Sequence, residues 1–250
     1  MATFAIGDVH GNLAALTDLL DQITPELSSG DAVVFLGDYI DRGPQSRECV
    51  DAILNFTQAT SASVVCLLGN HEEWMLRTLD DPRRHSWVLG MSPWSTIASY
   101  APEAVEILKD AVKRGGMMVY AGEAPIPYEV FFDRVPGAHL EFFRGLVTHY
   151  ENVDGLFSHG GLDPTVPGTD NQTERSWVWG AKGFPEGYLG DKPLVYGHHN
   201  NAVVDADGWP QPRITGDTIG IDTIAHGVLT AIRMPDRTLV QTGRYARRQD

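Results

Sequence analysis

The stretch Gly37-Asp38-Tyr39-Ile40-Asp41-Arg42-Gly43 directly follows the apolar run Val33-Val34-Phe35-Leu36. A continuous apolar run reads as a strand buried on both faces, which favours a parallel sheet over a half-exposed antiparallel one. Polar residues at the end of such a strand fall where ligands collect in α/β folds. The same pattern stands on either side. Thr3-Phe4-Ala5-Ile6 leads to Gly7-Asp8-Val9-His10-Gly11, and Val64-Val65-Cys66-Leu67-Leu68 leads to Gly69-Asn70-His71-Glu72. A helical pattern follows each block. Leu13, Leu16, Leu19, Leu20 and Ile23 share a face behind a cap at Asn12, and Val50, Ile53 and Leu54 behind a cap at Ser46. The third helix runs through Trp74, Met75 and Leu79. Strand, loop and helix, repeated, predict an α/β fold whose three loops meet at one sheet edge.

Between about residues 80 and 150 the pattern changes to Pro, Trp and Gly punctuation with helical stretches at 103–113 and 138–146. This segment is expected to cover one side of the site as a helical cap within a single domain spanning 1–250. Short strands return at 155–158, 194–196, 217–221, 227–232 and 237–242. Their spacing predicts a second, more antiparallel sheet. Two more blocks end strands of this half, Ser158-His159-Gly160-Gly161 and Gly197-His198-His199. The closing run Arg244-Tyr245-Ala246-Arg247-Arg248 reads as a solvated tail.

The 250 residues, 42% hydrophobic and 21% charged, suffice for a sizeable core. A formal charge of -14 argues against a nucleic-acid binder and against an anionic membrane surface. No apolar run has the length of a membrane span. No signal peptide is visible, and Cys49 and Cys66 read as reduced structural thiols, so a cytoplasmic protein is expected.

The five blocks supply three aspartates, one carboxamide and several imidazoles. Asp8, His10 and Asp38 suit one divalent metal; Asp38, Asn70, His159 and His198 suit a second, with Asp38 bridging. Oxygen and nitrogen donors without thiolates favour Mn, Fe or Zn in a reactive centre over a cysteine-rich structural zinc. Two metals roughly 4 Å apart activate a water and offset charge on a phosphoryl group. His71 is then the general acid, Asp41 its orienting partner and Arg42 a phosphate clamp. Singly, each residue has a structural reading as a turn, a cap or a surface ion pair. Their joint placement after strands carries the argument. His85, His139 and His149 read as solvated, His199 as a neighbour of a ligand, and His226 as structural. Trp94, Trp177 and Trp179 either line a groove or pack.

These blocks resemble, in order and spacing, the signatures of the phosphoprotein phosphatase superfamily of metallophosphoesterases, especially its bacterial branch. Trp94-Ser95-Thr96-Ile97-Ala98-Ser99-Tyr100 resembles a bacterial cap segment, and Ile219-Gly220-Ile221-Asp222-Thr223 the usual C-terminal strands. The resemblance covers nearly the whole chain. It implies a four-layer α/β/β/α fold, commonly with manganese, and the same ligand and catalytic residues. Where bacterial relatives carry a phosphate-gripping arginine, this chain has Ala181, with Lys182 beside it and Arg175 upstream. The family's threonine after the last histidine is His199 here.

The leading expectation is a metal-dependent phosphomonoesterase of the serine/threonine protein phosphatase type. Its substrate is then a phosphoprotein or a small phosphoester. The second is a symmetrical dinucleoside polyphosphate hydrolase. The third is a phosphate-binding regulatory protein with little turnover.

Overall fold

β1 (Thr3–Ile6) and β2 (Ala32–Phe35) are buried at every residue, as their unbroken apolar runs require. They pair in parallel with Ile6 level with Phe35, and β2 pairs in parallel with β3 (Ser63–Cys66), Phe35 level with Cys66. The three following loops therefore leave the same edge of the sheet. The computed structural model describes residues 1–245; Ala246, Arg247 and Arg248 of the expected tail lie outside them.

Helices α1 (Leu13–Ile23), α2 (Ser46–Ala59) and α3 (Asn70–Asp80) follow β1, β2 and β3. Asn12 caps α1 by accepting the Ala15 N–H. Ser46 does not cap α2. It is the first helical residue, and its hydroxyl bonds Thr96 instead, because the cap segment packs against that helix start. The segment holds α4 (Ser86–Gly90), α5 (Trp94–Tyr100), α6 (Ala104–Gly115), α7 (Met117–Tyr120), α8 (Glu129–Phe132) and α9 (Gly137–Arg144). His85 and His139 are buried there, contrary to the solvated reading. His85 bonds the Tyr128 hydroxyl and the Ala124 carbonyl, and His139 joins the Tyr100 hydroxyl to Asp51. Partners distant in sequence make burial of those imidazoles tolerable.

The second half contributes β4 (His149–Glu151), β5 (Leu156–Ser158), helix α10 (Glu174–Trp179), β6 (Leu194–Tyr196) and the small ribbon β7 (Val203–Val204) with β8 (Pro210–Gln211). Then come β9 (Arg213–Thr215), β10 (Thr218–Gly220), β11 (Thr230–Met234) and β12 (Thr238–Gln241). One sheet runs β12-β11-β1-β2-β3 and the other β4-β5-β6-β10-β9. The C-terminal strands depart from the expected arrangement in two ways. β11 and β12 complete the first sheet, where β11 lies antiparallel to β1. The second sheet is no more antiparallel than the first. Its strands β5, β6 and β10 are parallel, with Ser158, Tyr196 and Gly220 level.

Ala5, Val34, Phe157, Val195, Ile219 and Ile232 meet between the two sheets. The opposite faces of β1 and β2 (Phe4, Ile6, Val33, Phe35) pack on α1, α2 and the cap. Trp177 of α10 covers the far face of the second sheet with Leu156 and Leu194. Helices, sheet, sheet and a thin fourth layer give the four-layer α/β/β/α order. Arg244 and Tyr245 dock rather than trail, on the Gly208 carbonyl and the Asp18 carboxylate. No helix among the described residues is long and apolar enough to cross a membrane.

Candidate active site

Both parallel strand sets end at one place. The loop after β1 is tied to the loop after β2: the N–H groups of Val9 and His10 donate to the Asp38 carbonyl at 3.0 and 2.8 Å, and that of Gly11 to the Tyr39 carbonyl at 2.9 Å. Glu72 fixes the second loop from below. Its buried carboxylate accepts the N–H of Asp38 at 3.0 Å, of Tyr39 at 2.9 Å and of Ile40 at 3.2 Å. Burial and the charge of Asp38 push the Glu72 carboxyl up to about 8, and His71 and the Ile40 N–H act against that rise. Five site residues hold positive φ without being glycine: His10 (46°), Asp38 (53°), Asp41 (67°), Arg42 (65°) and His198 (71°). Such backbone costs about 1–3 kcal/mol each and persists only when the surroundings enforce it. Glycines make room beside it. A Cβ at Gly69 would strike Asp38 and Glu72, and one at Gly197 would strike the Asp8 carboxylate.

The donor atoms converge on Asp38. His10, Asp38 and His71 form one group and Asp38, His159 and His198 another, with ligand atoms within 4.8 Å of one another in each. Asp38 is common to both, as a bridging carboxylate must be. His10 gives its Nδ1 to the Ile40 carbonyl at 2.9 Å, which turns its Nε2 toward Asp38 Oδ2 at 3.4 Å. His159 likewise uses Nδ1 on the Leu36 carbonyl and aims Nε2 at Asp38 Oδ1, 3.4 Å away. Asn70 Oδ1 lies 2.9 Å from His159 Nε2 and 2.8 Å from His198 Nδ1. His10 Nε2 and Asp38 Oδ2 are buried with no hydrogen-bond partner. Burial lowers the proton affinity of His10, His159 and His198, the last to about 2, so these imidazoles are neutral. Burial alone would raise Asp38, yet its histidine surroundings, with the protonated His71 among them, act against that and hold it ionised. Neutral imidazoles and an ionised carboxylate aimed at each other without protons between them are a donor set for divalent cations.

Asp8 lies outside both groups. Its buried carboxylate accepts the His198 N–H at 3.1 Å. Burial, then Asp222 and Asp38, raise its proton affinity well above that of an ordinary carboxyl. Asp222, buried after β10, is thus a third carboxylate at the centre, which the sequence reading placed in a strand motif without a role.

His71, a member of the first group, also meets a second carboxylate. Its Nδ1 lies 2.7 Å from Asp41 Oδ2, its Nε2 3.8 Å from Asp38 Oδ2, and the exposed Arg42 reaches within 3.4 Å of that Nε2. Burial acts to lower its pKa, but the charge of Asp38 and the Asp41 hydrogen bond raise it to about 9. Asp41 is itself held by the cap: Thr96 donates its hydroxyl at 2.6 Å and Trp87 its indole N–H at 3.0 Å. Sequence reading assigned neither residue a role. Thr96 appeared only within a quoted motif, and Trp87 offered no signal beyond its position in the cap. Lys182 and Arg175 are both exposed, and Arg175 lies over the Trp179 ring at 5.7 Å. Of the three tryptophans weighed for a groove, Trp177 is buried against His149, Trp94 lies in the cap, and Trp179 reaches the site, 5.7 Å from the His198 ring.

Residues 1–227, which contain all five blocks, match the calcineurin-like phosphoesterase family. The chain belongs to that family. As a metallophosphoesterase it requires divalent metal, and the donor set around Asp38 fits that requirement. The chain is 28% identical over 248 residues to the bis(5'-nucleosyl)-tetraphosphatase PrpE [asymmetrical] of Geobacillus thermodenitrificans, covering 94% of this chain and 91% of that one. It is 32% identical over 111 residues to the zinc-dependent endopolyphosphatase of Saccharomyces cerevisiae, covering 42% of this chain and 33% of that protein. It therefore spans only a third of the yeast protein. A crystal structure provisionally named as a diadenosine tetraphosphatase superposes with a TM-score of 0.60 at 19% identity, covering 96% of this metallophosphoesterase and 92% of that chain. At that identity the likeness concerns the fold.

Proposed function

We propose that this metallophosphoesterase hydrolyses dinucleoside tetraphosphates, with water as the nucleophile and no covalent enzyme intermediate. The observation that carries the hydrolytic reading is the shared position of Asp38 in two groups of possible ligands, the first of which includes the His71 imidazole that pairs with Asp41. Asp8, His10, Asp38, Asn70, His159 and His198 would hold two divalent cations, with Mn the first choice and Fe or Zn the others. Bound there, such cations supply Lewis acidity to the phosphoryl group and activate the attacking water. The chain's own residues do the rest. His71 donates a proton from Nε2 to the leaving oxygen. Asp41, accepting from Nδ1, keeps the imidazole in the orientation and charge state for that transfer. Arg42 binds the phosphoryl oxygens where that proton is delivered, with Lys182 or Arg175 as secondary contacts. The segment at 80–150 belongs to the same single domain and forms the wall that holds Asp41.

The substrate class rests on the likeness to PrpE along nine tenths of both chains. That relative is named asymmetrical, so AMP and ATP are the expected products in place of two ADP. The phosphoprotein reading rests on the motifs alone, and the His71–Asp41 pair at 2.7 Å stands against a low-turnover binding protein. Reduced cysteines accord with a cytoplasmic setting; both Cys49 and Cys66 are free, with thiols raised by burial. The deciding experiment compares kcat/KM for diadenosine tetraphosphate, a phosphothreonine peptide and a small phosphomonoester, with Mn, Fe or Zn added. The tetraphosphate should lead by at least about tenfold, and chromatography should show AMP and ATP. A peptide preferred by that margin sinks the substrate reading.

A further inference from the structure

Trp179 ends α10 beside the second ligand group and is held there from several sides. The Gly160 backbone, next to His159, packs so closely on the Trp179 backbone that a Cβ at Gly160 would overlap it. The indole N–H donates to Glu73 Oε2 at 2.7 Å, and the buried Glu73 is in turn bound by Arg77. The ring leans on Trp74 at 4.9 Å and turns an edge to the His198 ring at 5.7 Å, with His199 a further 4.1 Å from His198. Trp179 is only half-buried, and the exposed Arg175 guanidinium lies 5.7 Å over it. Among the described residues no carboxylate lies within ion-pair distance of Arg175. A core tryptophan needs none of this: a fixed indole donor, an open side and a loose cation above, next to a residue that faces the metal centre.

We infer that Trp179 and Arg175 form a nucleobase subsite, in which a purine attached to the phosphate at the metal centre stacks on the indole beneath the guanidinium. The inference rests on the proposed nucleotide substrate and adds where its base sits. A rigid aromatic face and an arginine plane are what base stacking uses, without reading of base edges. The edge contact with His198 puts that face directly beside the groups that would hold the phosphate.

Calorimetric titration of the Mn-loaded protein with AMP and with ribose 5-phosphate tests it, because the two differ only by the base. The native protein should bind AMP about tenfold or more tightly, the range stacking supplies. In Trp179→Leu the ratio should fall toward one, and Trp179→Phe should restore most of it. Arg175→Ala, at an exposed position, should lower the ratio about threefold and decides the matter should the leucine variant not fold. A native ratio near one, or a ratio unmoved in Trp179→Leu or, failing that, Arg175→Ala, overturns the subsite. An AMP preference without tetraphosphate turnover removes the substrate reading and leaves the subsite standing; turnover without the preference does the reverse.

Discussion

At pH 9, above the value of about 8 to which the Glu72 carboxyl is pushed, replacing Glu72 by Gln changes little in shape and much in donors and acceptors. The carboxylate accepts three backbone N–H groups, two on Oε1 from Tyr39 and Ile40 and one on Oε2 from Asp38. An amide has one acceptor oxygen. With that oxygen kept on Tyr39 and Ile40, the new NH2 faces the Asp38 N–H, donor against donor. A buried N–H left without an acceptor costs about 1–3 kcal/mol, and the two remaining bonds fall from charge-assisted strength to about 1 kcal/mol each. The sum is on the order of 2–5 kcal/mol, or roughly 5–15 °C in Tm for a chain of this size. The same bonds hold Asp38 in its left-handed backbone, so the loop should relax and both cations should bind more weakly. Thermal unfolding followed by circular dichroism, together with metal content after dialysis, reads both effects. A variant that melts within about 2 °C of native and keeps two ions would refute the anchoring role of Glu72.

His71→Ala should lower kcat by about 10²–10⁴ for substrates with poor leaving groups, and much less for an activated aryl phosphate, with metal content retained; equal losses remove the acid role. Arg42→Ala should lower kcat/KM by about one to two powers of ten, from a charged contact of about 1.5–3 kcal/mol, and a larger loss from Lys182→Ala or Arg175→Ala would move the phosphate away from Arg42. Metal-free protein should lose stability as pH rises. His71 binds its proton more tightly when folded, so its contribution is complete below the usual imidazole range near 6.5 and is lost as pH passes about 9. That amounts to up to about 3 kcal/mol; urea unfolding at both ends of the window should show a steeper fall for native than for His71→Asn, and parallel slopes contradict it.

β1, β2 and β3 and their loops were legible because each reads as an apolar run that ends in a glycine-flanked block of Asp, Asn or His. The placement of β11 and β12 was not legible. Their residues suit either sheet, and only the pairing of Thr3 with Met234, across nearly the whole chain, decides it. The residues that converge on Asp38 were legible because every one of the five blocks carries at least one of them. What holds the donors was not. Glu72 stood in a quoted block without a role, since its acceptors' partners lie in the preceding loop. Ser46 looked like a cap because a serine before a helix usually is one; the Thr96 hydroxyl, brought by the cap segment, redirected it. Asp222 carried no signal of its own beyond following a short apolar strand.

The grip of Thr96 and Trp87 on Asp41 changes what the cap is. A lid that only shaped the substrate cleft could be exchanged between relatives, and the chemistry beneath would survive the graft. Here a transplanted cap would have to bring a hydroxyl and an indole N–H to the same two carboxylate oxygens, or leave Asp41 free to turn away from its imidazole. If His71 delivers the proton as proposed, the cap and the proton donor must be inherited together in this chain, and drift in the insertion's sequence is restrained by a bond at the base of the site.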